Sequence, residues 1–167
     1  DLQNKDIVIS HALGRQSNPI ARRSHILKFD YLVIALGNET NFFGMDNVTK
    51  NSFTIKTIGD AIVLRNQVIN MLEQADIEHE DIDLRKGLMT FVVVGGGFSG
   101  VETVGELNDF IRDSIKLFYH NINEADARVV LISSGQRILP EVTEDLSDFA
   151  LQKIRKNGVE VLLNTRL

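Results

Sequence analysis

The chain has 167 residues, 43% of them hydrophobic, and a formal net charge of −5, enough for one sizeable core or for one domain and part of another. A mildly acidic protein has no general electrostatic pull toward nucleic acid or anionic lipid, so neither is expected as a partner. The sequence has no cysteine, which excludes a disulfide framework, a thiolate zinc site and a thiol nucleophile within these residues.

No apolar run approaches the ~18 residues needed to span a bilayer, and the opening DLQNKD is no signal peptide; a soluble, cytoplasmic chain without membrane contact of its own is expected. His11, His25, His79 and His120 show no metal-ligand spacing. The acidic run DIEHEDID (76–83) lacks the glycine and terminal glutamate of a calcium loop, so no metal is expected. Arg22-Arg23 is the only basic cluster and reads as solvated surface.

In chain order, DIVIS (6–10) and FDYLVIALG (29–37) are β-branched and aromatic runs, with turn signals between them in HALGRQSNPIARRS. The second run is apolar on both faces and predicts a buried central strand ending at Gly37. NETNFFGMDNV (38–48) reads as loop. GDAIVLRNQVINMLEQAD (59–76) has Ile62, Leu64, Val68, Ile69 and Leu72 at helical spacing, with Asp60 near the positive end of the dipole. The charged segment 76–86 follows as a connector and the expected domain boundary.

From there the pattern is regular. TFVVV (90–94) predicts a strand, and 98–118 a helix with Val101, Val104, Leu107, Ile111, Ile115 and Phe118 on one stripe. RVVLIS (128–133) predicts a second buried strand. TEDLSDFALQKIRKNG (143–158) predicts a helix with Leu146, Phe149, Ala150 and Ile154 inward, Lys153, Arg155 and Lys156 in its last turn and Gly158 as its cap. VEVLL (159–163) predicts a third strand. The alternation gives an α/β fold: a Rossmann-like parallel βαβαβ domain at 87–167, a connecting helix and linker at 57–86, and a β-rich segment at 1–56.

Gly95, Gly97 and Gly100 form G-x-G-x-x-G between a predicted strand and a predicted helix, the context that makes this pattern meaningful. Gly95 would turn the chain off the strand, Gly97 would admit a pyrophosphate close to the backbone, and Gly100 would let the helix pack on the sheet; the phosphates would face free N–H groups at the helix start, beside Ser99. The acidic residue that usually ends the second strand and holds the adenosine ribose of NAD is missing. Ser133 and Ser134 stand there, with Arg137 close by, so the choice between NADH and NADPH stays open. Glu102, Glu106, Asp109 and Asp113 form an acidic stripe on the same helix; it reads as a solvated face, or as carboxylates beside a bound nicotinamide.

FVVVGGGFSGVETVGELNDF, the preceding GDAIVLRNQVINMLEQAD and the following VVLISSGQRILP together resemble the type II NADH dehydrogenases, single-subunit flavoprotein NADH:quinone oxidoreductases of the superfamily with two dinucleotide-binding domains. The resemblance covers nearly the whole chain. It implies an NAD(P)H-binding domain at 87–167 and a piece of an FAD-binding domain at 1–56, with Ala35, Leu36 and Gly37 near the flavin nucleotide. It further implies Glu102 near the nicotinamide and Glu106, the catalytic candidate, toward the junction of flavin and quinone. Ser133 stands where NADH-preferring members have glutamate. The same resemblance implies a fragment, inactive alone, of a parent enzyme that carries FAD, reduces quinone and lies peripherally on the inner face of a membrane; sheet edges exposed in such a fragment admit a homodimer. Three other readings remain: a flavoprotein reductase with ferredoxin, sulfide or a disulfide as acceptor, a nucleotide-binding regulatory module without turnover, and a purely structural α/β interaction domain in which all the glycines are geometric.

Overall fold

The computed structural model describes residues 1–11 and 23–166. Most of the turn-rich stretch between the first two predicted strands, including Arg22, lies outside them. The chain divides after Met45 into two compact units, Asp1–Met45 and Asp46–Leu167.

In the first unit, β1 (Asp6–His11) pairs antiparallel with β2 (Arg23–Lys28) in the register Asp6↔Lys28 to His11↔Arg23, and the Lys28 ammonium lies 2.7 Å from the Asp6 carboxylate. The ladder therefore takes the polar run RSHILK. The strand expected at 29–37 does not form: after Phe29 N–H donates to the Lys5 carbonyl (3.1 Å) the backbone leaves the ladder, and Val33 is 85% exposed. An apolar, β-branched run becomes a strand only where a neighbour supplies ladder bonds and a surface to bury against. Among the described residues of this unit no strand pairs with it.

The second unit carries the core. A short helix α1 (Asp46–Asn51) leads to α2 (Ile58–Ile77), and α3 (Ile82–Leu88) follows, its start capped by the Asp81 carboxylate. Then come β3 (Thr90–Val94), α4 (Phe98–Phe118), β4 (Arg128–Ile132), α5 (Glu144–Lys156) and β5 (Val159–Leu162). The strands are parallel in the order β3-β4-β5, with Val92 opposite Val130 and Val130 opposite Glu160. Central β4 is buried on both faces at Val129, Val130 and Leu131, as its continuous apolar composition requires. Val68, Leu72 and Ala75 of α2 join the same core as Val104, Ile111 and Ile115 of α4.

Two helical faces differ from the sequence expectation. Phe118, placed on the apolar stripe of α4, is exposed, whereas Asn108 and Ser114 are buried. A helix of this length runs about 30 Å against strands of about 17 Å, so its last turn overhangs the sheet. On α5, Leu146 and Phe149 are exposed and Ser147 is buried. The Ser147 hydroxyl donates to the Ile138 carbonyl at 2.7 Å and turns the face 147-150-151-154 inward. Phe149 instead lies beneath the Lys153 ammonium, 5.9 Å from its ring centre.

At the N-terminal edge of the sheet Arg112 of α4 ties several segments together. It donates to the Asn108 side chain (2.9 Å) and to the carbonyls of Glu124 (2.6 Å) and Gly158 (3.2 Å). Gly158 takes φ +89, and a Cβ there would lie 2.9 Å from the guanidinium, so the glycine that ends α5 also makes room for the arginine.

Two expectations follow for stability. Ser147→Ala strands a buried carbonyl and should cost about 1–3 kcal/mol, whereas Phe149→Ala should cost under about 1 kcal/mol; urea midpoints of the two variants measure the difference. At the start of α2, Thr57 and Asp60 form a reciprocal capping box. N–H donation from Thr57, then Lys56, holds the Asp60 carboxyl below its ordinary pKa. A lowered carboxylate stabilises fully above its unfolded pKa and loses that contribution as pH falls through the folded one. The stability gap between the native chain and Asp60→Asn should therefore narrow in acid, read as urea midpoints at about pH 7 and about pH 3.

Candidate functional site

The glycine turn lies at the carboxyl ends of the strands, where open parallel sheets place their ligands. Gly95 takes φ +116, a conformation that side chains disfavour, and its N–H reaches the Ile132 carbonyl at 2.8 Å. The chain then turns back into α4 so tightly that a Cβ on Gly100 would lie 1.8 Å from the Gly95 carbonyl oxygen. Position 97 is different: a Cβ there would meet nothing within 4 Å. Gly97 is the N-cap of α4, no side chain caps the helix, and its first turn has no carboxylate. The first intrahelical bond runs from Val101 N–H to the Gly97 carbonyl at 3.0 Å, leaving the N–H groups of Phe98, Ser99 and Gly100 without a partner in the helix.

Beside this turn lies a groove of about 510 Å³, lined by Gly96, Gly97, Ser133, Ser134, Arg137 and their neighbours. Ser133 and Ser134, expected together, have different settings. Ser134 is exposed. Ser133 is buried, its Oγ accepting from Gly135 N–H at 3.3 Å. It also packs against Gly96, where a Cβ would approach that Oγ to 2.6 Å. The loop after β4 is stitched to the turn by Leu139 N–H donating to the Gly96 carbonyl at 2.6 Å. Leu139 holds φ +48 for this purpose, a left-handed conformation costing about 1–2 kcal/mol in a non-glycine residue. Sequence reasoning missed Gly96 and Leu139; the Ser-Ser-Gly cluster marked a loop, but no local signal says which backbone that loop will meet.

A second groove, of about 460 Å³, lies between α2 and α4. Its lining brings together Ser99, Glu102 and Glu106, with Arg65 of α2 opposite. Both glutamates are exposed, as are Asp109 and Asp113. Ser99 thus lines this groove rather than the one beside Ser133. Ala35, Leu36 and Gly37 fall in the first unit, in unpaired and exposed backbone. Leu36 is 94% exposed, and a Cβ on Gly37 would meet nothing within 4 Å. Among the described residues no group of His, Asp or Glu could hold a metal ion, and no helix is long and apolar enough to cross a membrane.

Parallel βαβαβ order, a glycine turn that only glycine can make and an uncapped helix start at the strands' carboxyl ends define the class: a Rossmann-like dinucleotide-binding fold. The comparison with known proteins gives the family. The chain belongs to the pyridine nucleotide-disulphide oxidoreductases, whose family model matches residues 2–167. It is 36% identical over 152 residues to the mitochondrial external alternative NAD(P)H-ubiquinone oxidoreductase B1 of Arabidopsis thaliana, covering 91% of this chain and 26% of that protein. With the type II NADH:quinone oxidoreductase of Mycobacterium tuberculosis it shares 33% over 135 residues, 81% of this chain and 29% of that one. The solved structure of NDH2 from Plasmodium falciparum in complex with NADH superposes with a TM-score of 0.73 at 32% identity, over 87% of this chain and 29% of that one. The chain thus spans a little over a quarter of the length of these relatives.

The two glycines make a direct prediction. Gly100→Ala drives a methyl into the Gly95 carbonyl and forces α4 off the sheet, so the variant should lose more than about 3 kcal/mol, at the level of severe overpacking. Thermal unfolding followed by far-ultraviolet circular dichroism measures the loss.

Proposed function

We propose that this chain is the dinucleotide-binding part of a flavin-dependent NAD(P)H:quinone oxidoreductase, with residues 87–167 serving NAD(P)H and residues 1–56 contributing to the flavin domain. The observation that carries the reading is the start of α4: three N–H groups without helical partners, directly after an N-cap glycine whose missing side chain leaves open space. Such a helix end favours an anion, and free backbone at Gly97 lets a pyrophosphate approach it. The residues present therefore fit the phosphates of a dinucleotide.

When bound, the reduced nicotinamide would supply a hydride to FAD, and electrons would pass on to quinone. The work of this chain is positional. Gly95 and Gly100 shape the turn, and Gly97 and Ser99 lie beside the phosphate position. Ser133 and Ser134 serve the adenosine ribose from the groove after β4. Glu102 lies one turn further along α4, on the side away from that groove, where a carboxylate can orient the nicotinamide amide. Glu106, a turn beyond, faces the flavin side with Arg65 across the groove. Ala35, Leu36 and Gly37 are proposed to approach the flavin nucleotide in the intact protein. Quinone as acceptor is supported by the names of the relatives; peripheral attachment to a membrane and a homodimer belong to the same proposal.

The test separates ligand binding from folding at one residue. Gly97→Asp adds a favourable N-cap carboxylate, so the variant should fold at least as well as the native chain, yet its charge occupies the place of the phosphate. Calorimetric titration with NADH and NADPH should show binding by the native chain, weakened more than about tenfold in Gly97→Asp by charge repulsion. Equal binding by both would place the dinucleotide elsewhere.

A further inference from the structure

The groove after β4 has a chemical bias of its own. In dinucleotide folds a carboxylate at the end of this strand pairs with the ribose 2′-hydroxyl and repels a 2′-phosphate, whereas a nearby arginine accommodates the phosphate. Here the strand end carries no carboxylate. The buried Ser133 hydroxyl accepts from Gly135 N–H and packs against Gly96. Ser134 beside it is exposed.

Arg137 lines the same groove. Its guanidinium donates to the Val142 carbonyl at 3.1 Å and the Pro140 carbonyl at 2.8 Å. Two of its five N–H donors are thereby used to hold it in place, and three remain. It has no ion-pair partner among the described residues; those pairs are Lys28–Asp6, Lys86–Asp83 and Arg128–Glu160. A fixed, unneutralised guanidinium is the group that planar recognition of phosphate uses. Glu141, exposed at the rim, is the one carboxylate of the lining, and it lies across Pro140 from the arginine in sequence rather than at the strand end.

We infer that this groove favours a 2′-phosphorylated dinucleotide, NADPH over NADH, with Arg137 as the cation for the 2′-phosphate and Ser134 as an additional hydroxyl donor. The inference rests on the dinucleotide-binding reading above and adds which nucleotide is taken.

The experiment is a calorimetric titration of the whole chain with NADPH and with NADH, at low and at high salt, alongside Ser134→Asp and Arg137→Gln, each checked for folding by circular dichroism. In the native chain NADPH should bind about tenfold more tightly than NADH, as a charge-assisted contact provides, and the preference should shrink at high salt. In Ser134→Asp the ratio of the two affinities should shift about tenfold toward NADH, from like-charge repulsion at an exposed position that holds no structural bond. Arg137→Gln should lower the same ratio; because it also loosens the loop, Ser134→Asp carries the decision if that variant unfolds. Equal affinities, or tighter NADH binding by the native chain, would overturn the inference and leave the dinucleotide reading intact. A preference for NADPH that neither variant moves would overturn the residue assignment. Failure of the folded chain to bind either nucleotide would overturn the reading beneath it.

Discussion

The second unit depends on the approach of α4 to the end of β3. At Gly100 the helix backbone comes so close to the Gly95 carbonyl that a single methyl group would lie 1.8 Å from the oxygen. Nothing but hydrogen fits between them, and that contact sets where the helix starts relative to the sheet. Gly95, at φ +116, delivers the turn that makes it. The remaining packing of α4 follows: Val104, Ile111 and Ile115 reach the core one, three and four turns further on, and Arg112 closes the far end against the carbonyls of Glu124 and Gly158. The helix is pinned at both ends of the sheet. Its free N–H groups are thus held at one place, which is the condition for recognising an anion without reorganisation.

The loop after β4 depends on the same turn. Gly96 accepts from Leu139 N–H and packs on Ser133, so that the lower wall of the groove is built from the backbone of both segments. Leu139 pays for this with a left-handed backbone, and the buried Ser147–Ile138 bond holds the preceding residue of the loop. Strain of this kind persists only where surrounding contacts over-determine it. Here those contacts also fix the Arg137 guanidinium, through Pro140 and Val142.

Helix α4 thereby separates two chemical environments. On one side lies a groove with serines and an arginine, and on the other a groove with two glutamates facing Arg65 of α2. A dinucleotide has the same polarity along its length, with phosphates in the middle, a phosphorylated or free ribose at one end and a ring with an amide at the other. The proposed dinucleotide would run in that order, with the uncapped helix start between the two grooves.

Much of this was legible in the sequence because it is local. The G-x-G-x-x-G spacing, the β-branched runs that flank it and Gly158 after three cations specify turns and periods that a few neighbouring residues decide among themselves. The second unit accordingly matches the expected βαβαβ order, with α4 at Phe98–Phe118 as its stripe required. What only the tertiary structure decided are choices that need a distant partner. Residues 29–37 have the composition of a buried strand, yet a strand exists only with a neighbour, and the ladder of the first unit went to Arg23–Lys28. On α5 two faces satisfied the same helical period, and a single hydroxyl bonded to a carbonyl nine residues away turned Ser147 inward and Phe149 out. Ser133 and Ser134 are identical in type and adjacent, yet packing on Gly96 and the bond from Gly135 N–H bury the first, while the second stays exposed. Propensity acts over a few bonds, whereas burial and hydrogen-bond satisfaction depend on whatever the fold brings alongside.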